Sequence, residues 1–287
     1  MSAPTTGRIS PRRRLGGLAT RGATSVALVV LALYAVGPLV VLVFNAFKTN
    51  VDIAGNPLGP PLPPTFDNIA EAWELGNFAT TLRNSAILAI GTAVGVCVVS
   101  YLTAYALARV LPRPAPLVLY LFVGTAVPAQ LFIIPVFFLW TRLHLNNSLF
   151  GLMLIYWALF APFGTLLLRA FLVTLPQEID DAARIDGATE WAVMSRVVLP
   201  LAQPGMLVVA LTTGLFAWNE FFFATTLIDD EALKPISTSL LAFQGQFSRD
   251  WGLTSAGCLF MIGPVLVLFL VLQRRFIAGL TAGSLKA

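Results

Sequence analysis

Ionisable chemistry is scarce in this sequence. It holds one histidine, His144, in a short turn with no cysteine, acid or second histidine arranged around it. Its two cysteines, Cys97 and Cys258, lie inside apolar runs without a partner at metal-ligand spacing, so they read as small core side chains rather than as a metal centre. No nucleophile stands with its base and no H-E-x-x-H motif occurs, which leaves little on which to found a membrane-embedded enzyme. A G-x-x-x-x-G-K-[ST] phosphate loop is missing as well, so the chain does not hydrolyse nucleotide by that route. Charged residues make up only 11% of the 287, against 57% hydrophobic, a balance that a water-exposed surface of this size cannot be built from.

What the sequence has instead is long apolar runs. A bilayer core needs roughly 20 consecutive apolar residues in a helix. Six regions meet that need: Thr24 to Phe47, Asn84 to Ala108, Ala115 to Thr141, Leu145 to Leu168, Val197 to Ile228 with one acid inside, and Trp251 to Gln273. Transmembrane β-strands would be about 10 residues of alternating polarity, a pattern that is absent. The expected fold is therefore all-α, a polytopic bundle of six spans over residues 24–276, between a basic tail at 1–23 and a C-terminal tail at 277–287. The first run follows Arg12, Arg13, Arg14 and Arg21 as a secretory signal would, but it is longer than a signal core and no small-x-small site follows, so it is expected to be retained.

Basic residues set the orientation. With both termini in the cytoplasm, the inner segments hold Arg8, Arg12, Arg13, Arg14, Arg21, Arg109, Arg113, Arg169, Arg184, Arg196, Arg274, Arg275 and Lys286. The outer segments hold Lys48, Arg83, Arg142, Lys234 and Arg249. Thirteen against five places the chain in the cell membrane with both termini inside, and it accounts for the basic pI without nucleic acid.

Several segments carry local signals. The outer stretch Lys48 to Arg83 opens with five prolines and then offers a short amphipathic helix from Thr65, with Phe66, Ile69, Ala70 and Trp73 on one face. The third run contains Pro116, Pro128 and Pro135 and is expected to bend. Phe132, Phe137 and Trp140 read as packing residues. The longest inner connection, 173–201, collects Glu178, Asp180, Asp181, Asp186 and Glu190. Thr174 with Gln177 fits a capping box, Pro176 suits a first turn, Asp180 and Arg184 stand as an i,i+4 pair, and Gly187 sits where a left-handed cap is needed. A second helix should run from about Thr189 to Val198, with Trp191, Met194 and Val198 as its apolar stripe, until Leu199-Pro200 ends it. Periodicity alone gives an ordinary cytoplasmic helical hairpin.

The residue identities say more. Asp181-Ala182-Ala183-Arg184-Ile185-Asp186-Gly187-Ala188, followed by Leu199-Pro200 and Pro204, resembles the cytoplasmic signature loop of ABC importer permeases. The fuller string from Leu175 to Leu201, with Trp218-Asn219-Glu220-Phe221, Thr65-Phe66-Asp67-Asn68 and the tail Phe276 to Lys286, is similar to the second permease of the maltose, trehalose and glycerol-phosphate systems. Asp181 stands where that pattern has Glu, and Ala287 where Gly is common.

The resemblance implies a type I importer permease fold and half of a translocation pathway for a sugar or sugar-like solute. It implies a homologous second permease, a cytoplasmic ABC ATPase dimer that uses ATP and magnesium, and an extracytoplasmic solute-binding protein, with no cofactor or metal on this chain. The ATPase-coupling residues would be Glu178, Asp181, Ala182, Ala183, Asp186, Gly187, Ala188, Leu199 and Pro200. Phe66, Trp73 and the loop from Asp229 to Trp251 are expected to meet the binding protein. Glu220, the single acid in a span, has two open roles, a sugar contact or a bond to a neighbouring helix, and Trp218, Asn219 and Phe222 share its place as pathway candidates. The alternative is an ion-coupled carrier, which would show several membrane acids and paired interrupted helices.

Overall fold

In the computed structural model, the described residues are 11–243 and 250–282, and no strand occurs among them. The helices in chain order are α1 (Pro11–Ala46), α2 (Asn50–Gly55), α3 (Asp67–Leu75), α4 (Phe78–Tyr105), α5 (Ala115–Ala126), α6 (Ile133–Arg142), α7 (Leu149–Thr174), α8 (Glu178–Ile185), α9 (Glu190–Ala192), α10 (Leu199–Asn219), α11 (Phe222–Leu227), α12 (Ile236–Ser239) and α13 (Trp251–Ala282). Among the described residues, five uninterrupted stretches are long and apolar enough to cross a membrane, and the pair 115–126 and 129–142, bent by 87°, brings the number to six when counted as one broken span.

The bend falls where the prolines predicted it. Val127 is extended, with ψ of 125°, because the pyrrolidine ring disfavours helix at the residue before it, and Pro128 is extended as well, with ψ of 122°. Helix α1 starts at Pro11, inside the segment read as a tail, and α13 runs to Ala282; residues 1–10 and 283–287 lie outside the described residues.

Packing among α4, α7 and α10 makes the centre of the bundle. In lipid, where apolar burial gives little drive, small residues bring helices together. Gly91 and Gly95 of α4 receive Trp157 of α7, whose Nε1 donates to the Gly91 carbonyl at 3.0 Å, and a Cβ on Gly95 would lie 2.0 Å from the indole. One core cluster joins Val96, Tyr101 and Tyr105 to Leu168, Leu172, Val193, Met194 and Val198, and a second joins Leu88, Leu152 and Tyr156 to Phe223 and Leu227.

Two expected boundaries differ. The fifth run does not continue to Ile228 as one helix: α10 stops at Asn219, and Glu220 is extended with ψ of 126°. Leu199-Pro200 does not end a helix. Glu190 to Asn219 is one continuous rod, in which a π turn at Val193–Val198 closes with the Leu199 N–H on the Met194 carbonyl. Pro200 therefore lies inside that rod, directly after the π turn.

Candidate functional site

The hairpin forms much as its local chemistry dictates, with three corrections. Thr174 does not cap α8. It ends α7, its hydroxyl donating to the Phe171 carbonyl at 2.7 Å, and Gln177 precedes α8 with no side-chain cap. Asp180 does not pair with Arg184. It turns inward to Arg109, on the π turn Ala106–Val110 that continues α4, with Nε 2.9 Å from Oδ2 and both side chains under 5% exposed. Trp191 does not share the buried stripe, which is made by Val193, Met194 and Val198 while the indole stays 69% exposed.

Gly187 does what its position implied. Its φ is +82°, the Ala188 N–H reaches back to the Ala183 carbonyl and the Gly187 N–H to that of Arg184, both at 3.0 Å, which together close α8 in a Schellman turn. Thr189 then caps the next helix, its Oγ1 accepting from the Ala192 N–H at 3.3 Å. Arg184 binds Glu190 through Nε and Nη2 at 3.2 Å each and Asp181 through Nη1 at 2.9 Å. The Glu190 carboxylate, with Asp181 behind it, holds the Arg184 guanidinium above the usual arginine range.

This locking leaves a distinct outer surface. Glu178, Asp181, Ala182, Asp186 and Gly187 are exposed, and Ala183 and Ala188 partly so. Ile185 is 87% exposed beside them. Leu199 and Pro200 are not part of that surface, since they lie roughly 14 Å along the helix from Glu190 at ~1.5 Å per residue.

The pathway candidates fall at the break after α10. Glu220 Oε1 accepts from the Phe223 N–H at 2.9 Å, and Oε2 accepts from the Ala224 N–H at 3.1 Å and the Tyr156 hydroxyl at 2.7 Å. Its carboxylate thus caps α11 and ties it to α7, so of its two open roles the structure carries the helix bond. Asn219 is exposed on a groove of about 480 Å³ between α10 and α13, lined by Leu211, Thr212, Leu215, Phe216 and Phe269. Trp218 lines a neighbouring groove of about 400 Å³, its Nε1 donating to the Met261 carbonyl at 3.2 Å. Phe222 is exposed against the ring of Phe221.

Away from the hairpin, Phe66 packs edge-on to Phe47 and Trp73 to Phe260, with ring centroids 5.3 and 5.0 Å apart, each keeping an exposed edge. Phe243 is buried, and residues 244–249 of the loop lie outside the described residues. Among the described residues, no group of three or more His, Cys, Asp or Glu could hold a metal ion.

The family model described as the binding-protein-dependent transport system inner membrane component matches residues 98–281. The chain belongs to this family. It is an ABC importer permease, a multi-pass inner-membrane subunit rather than an enzyme. A probable ABC transporter permease protein, YurM of Bacillus subtilis, is 33% identical over 250 residues, 87% of this chain and 83% of that protein. The sulfoquinovosyl glycerol transport system permease SmoH of Agrobacterium fabrum is 32% identical, covering 87% and 88%. The diacetylchitobiose uptake system permease DasC of Streptomyces coelicolor is 31% identical, covering 91% and 96%. A solved bacterial ABC transporter that imports the acidic polysaccharide alginate has the same fold, with a TM-score of 0.78 over 94% of this chain and 100% of that one at 22% identity. Nothing in these comparisons favours the ion-coupled carrier.

Two side-chain contacts escape the sequence reading, Arg109 with Asp180 and Tyr105 with Glu190. The only signal for the first is an arginine and an acid on two different inner connections, a pairing that many other choices satisfy equally.

Proposed function

We propose that this permease is one of two homologous halves of an ATP-driven importer for a carbohydrate or glycoside, with the hairpin at 173–201 seated in a cytoplasmic ATPase. The observation that carries the reading is the exposed apolar pair Ile185 and Trp191 flanking the Gly187 turn on an otherwise charged knuckle. Large apolar side chains in a polar surround mark a partner site. Asp181, Asp186 and Glu178 would meet basic or amide groups there, and Ala182, Ala183, Ala188 and Gly187 allow close approach. Leu199 and Pro200 belong to the rod that carries the movement into the fifth span.

Both termini lie in the cytoplasm in this reading, and the ATPase dimer supplies ATP and magnesium chemistry. A solute-binding protein delivers sugar to the outer face near Phe66, Trp73 and the 229–251 loop. The relatives' names point to glycosides: sulfoquinovosyl glycerol, diacetylchitobiose and, for a further relative in Thermoanaerobacterium thermosulfurigenes, starch degradation products. Asn219 and the aromatic walls beside it suit a sugar, since aromatic faces stack on rings and amides bind hydroxyls. Trp218, Glu220 and Phe222 would hold that surface in place. The test is reconstitution of the co-purified complex in vesicles. Uptake of a glycoside should require ATP inside and the binding protein outside; uptake driven by an ion gradient without ATPase would overturn the proposal.

A further inference from the structure

We propose that the inner end of the second span is fastened to the ATPase-facing hairpin, so that Arg109 and Asp180 are positioning residues that make α4 follow the ATPase along with α10. The inference rests on the preceding reading of the hairpin. Covalent continuity already joins the hairpin to the fifth span, because Glu190 to Asn219 is one rod. No such continuity joins it to α4, and three side-chain ties stand in its place.

The first tie is buried. Arg109 Nε lies 2.9 Å from Asp180 Oδ2, and Nη2 of the same guanidinium donates to the Leu175 carbonyl at 3.0 Å, so one side chain holds both α8 and the segment that enters it. In the second, the Tyr105 hydroxyl donates to Glu190 Oε1 at 2.5 Å, on the carboxylate that Arg184 also grips from α8. In the third, the Tyr101 hydroxyl donates to the Met194 carbonyl at 2.6 Å within the core. Arg109 and Met194 each lie on a π turn, a local widening of the helix that often marks functional positions.

A buried ion pair adds little stability over an apolar pair of similar size, because desolvation offsets the attraction. What Arg109 supplies is register: its charge sits 2.9 Å from Asp180 Oδ2, and its Nη2 donates to the Leu175 carbonyl a directional bond that does not slide as apolar packing can. A push on the exposed knuckle therefore displaces the inner ends of two spans together.

The test labels two exposed positions with a nitroxide, Val98→Cys on α4 and Leu215→Cys on α10, in a Cys97→Ala, Cys258→Ala background of the assembled complex. ATP with vanadate should change the spectra of both labels in the otherwise native chain. In the Arg109→Met, Asp180→Leu double variant, which leaves no lone buried charge, the Leu215 response should persist and the Val98 response should fall about tenfold. Arg109→Lys, which keeps the cation, should retain most of it. If the double variant does not assemble, Tyr105→Phe should still reduce the Val98 response about threefold. A Val98 response that survives in the double variant and in Tyr105→Phe, or one that falls in step with Leu215, overturns the inference. Silence of both labels in the native complex overturns the preceding reading instead.

Discussion

Replacing Gly187 in turn by alanine, asparagine and valine separates the backbone demand of the knuckle from the space its partner needs. The glycine sits at φ +82°, and an added Cβ would meet nothing within 4 Å in this chain. Any loss in the alanine variant therefore comes from the left-handed backbone or from the partner, not from an internal clash. An L-residue in that conformation costs about 1–2 kcal/mol, and asparagine less, because its side chain compensates locally. Arg184, bound to Glu190 and Asp181, resists any other path for the turn, so the strain falls on the hairpin geometry. One or two kcal/mol shifts a population about 5- to 30-fold. Binding of the purified ATPase to the detergent-solubilised permease pair, followed by surface plasmon resonance, should weaken by that factor for Gly187→Ala. It should weaken more for Gly187→Val, and by no more than about threefold for Gly187→Asn. Native binding in the alanine variant would refute the argument from conformation. Equal losses for alanine and asparagine would refute it too, since they would mean that the partner excludes any Cβ.

Three further outcomes are expected. Trp191→Ala should leave thermal stability within about 0.5 kcal/mol, because the indole is exposed, yet weaken ATPase binding by more than tenfold; Met194→Ala, in the core, should lower stability by about 2–5 kcal/mol in a detergent melt. Glu220→Ala strips the acceptors from two backbone N–H groups and the Tyr156 hydroxyl, and should lower stability by about 1–3 kcal/mol for each group left unpaired, read by the same melt; unchanged stability with a raised KM for uptake would return Glu220 to the sugar. Gly95→Leu, driven into Trp157, should leave no monodisperse protein in size-exclusion chromatography, whereas Gly37→Ala and Gly124→Ala, with open space around them, should behave as the native chain.

The parts of the fold that the sequence carried openly are those whose cause is local. Apolar runs gave the spans, Pro128 the bend in the third, and Gly187 the turn, because length, a locked φ and a missing Cβ each act on the chain within a few residues. Partner choice is not local, and there the reading failed. Asp180 precedes Arg184 at helical spacing, yet the closer attraction is to Arg109, which the packing of α4 against α7 and the hairpin brings to 2.9 Å in a dry setting. For Glu220 the sequence left a sugar contact and a helix bond equally open, and the choice of two amides one turn ahead and a tyrosine on α7 depends on packing between helices. Leu199-Pro200 looked like a stop, but the helix runs through it directly after a π turn. The charges and small side chains on the exposed surface of the hairpin follow from its local sequence, while the burial that separates Val193 and Met194 from Trp191 required the neighbouring span.

The central claim is that the Gly187 knuckle faces the cytosol and is covered by the ATPase. Ile185→Cys in a Cys97→Ala, Cys258→Ala background places one thiol at the 87% exposed position beside the turn, and its reaction with a membrane-impermeant maleimide reports directly on its surroundings. The thiol should resist the reagent in intact cells, react in inside-out vesicles stripped of the ATPase, and be protected again when the ATPase is added back. Labelling in intact cells, or equal labelling with and without the ATPase, would contradict the account.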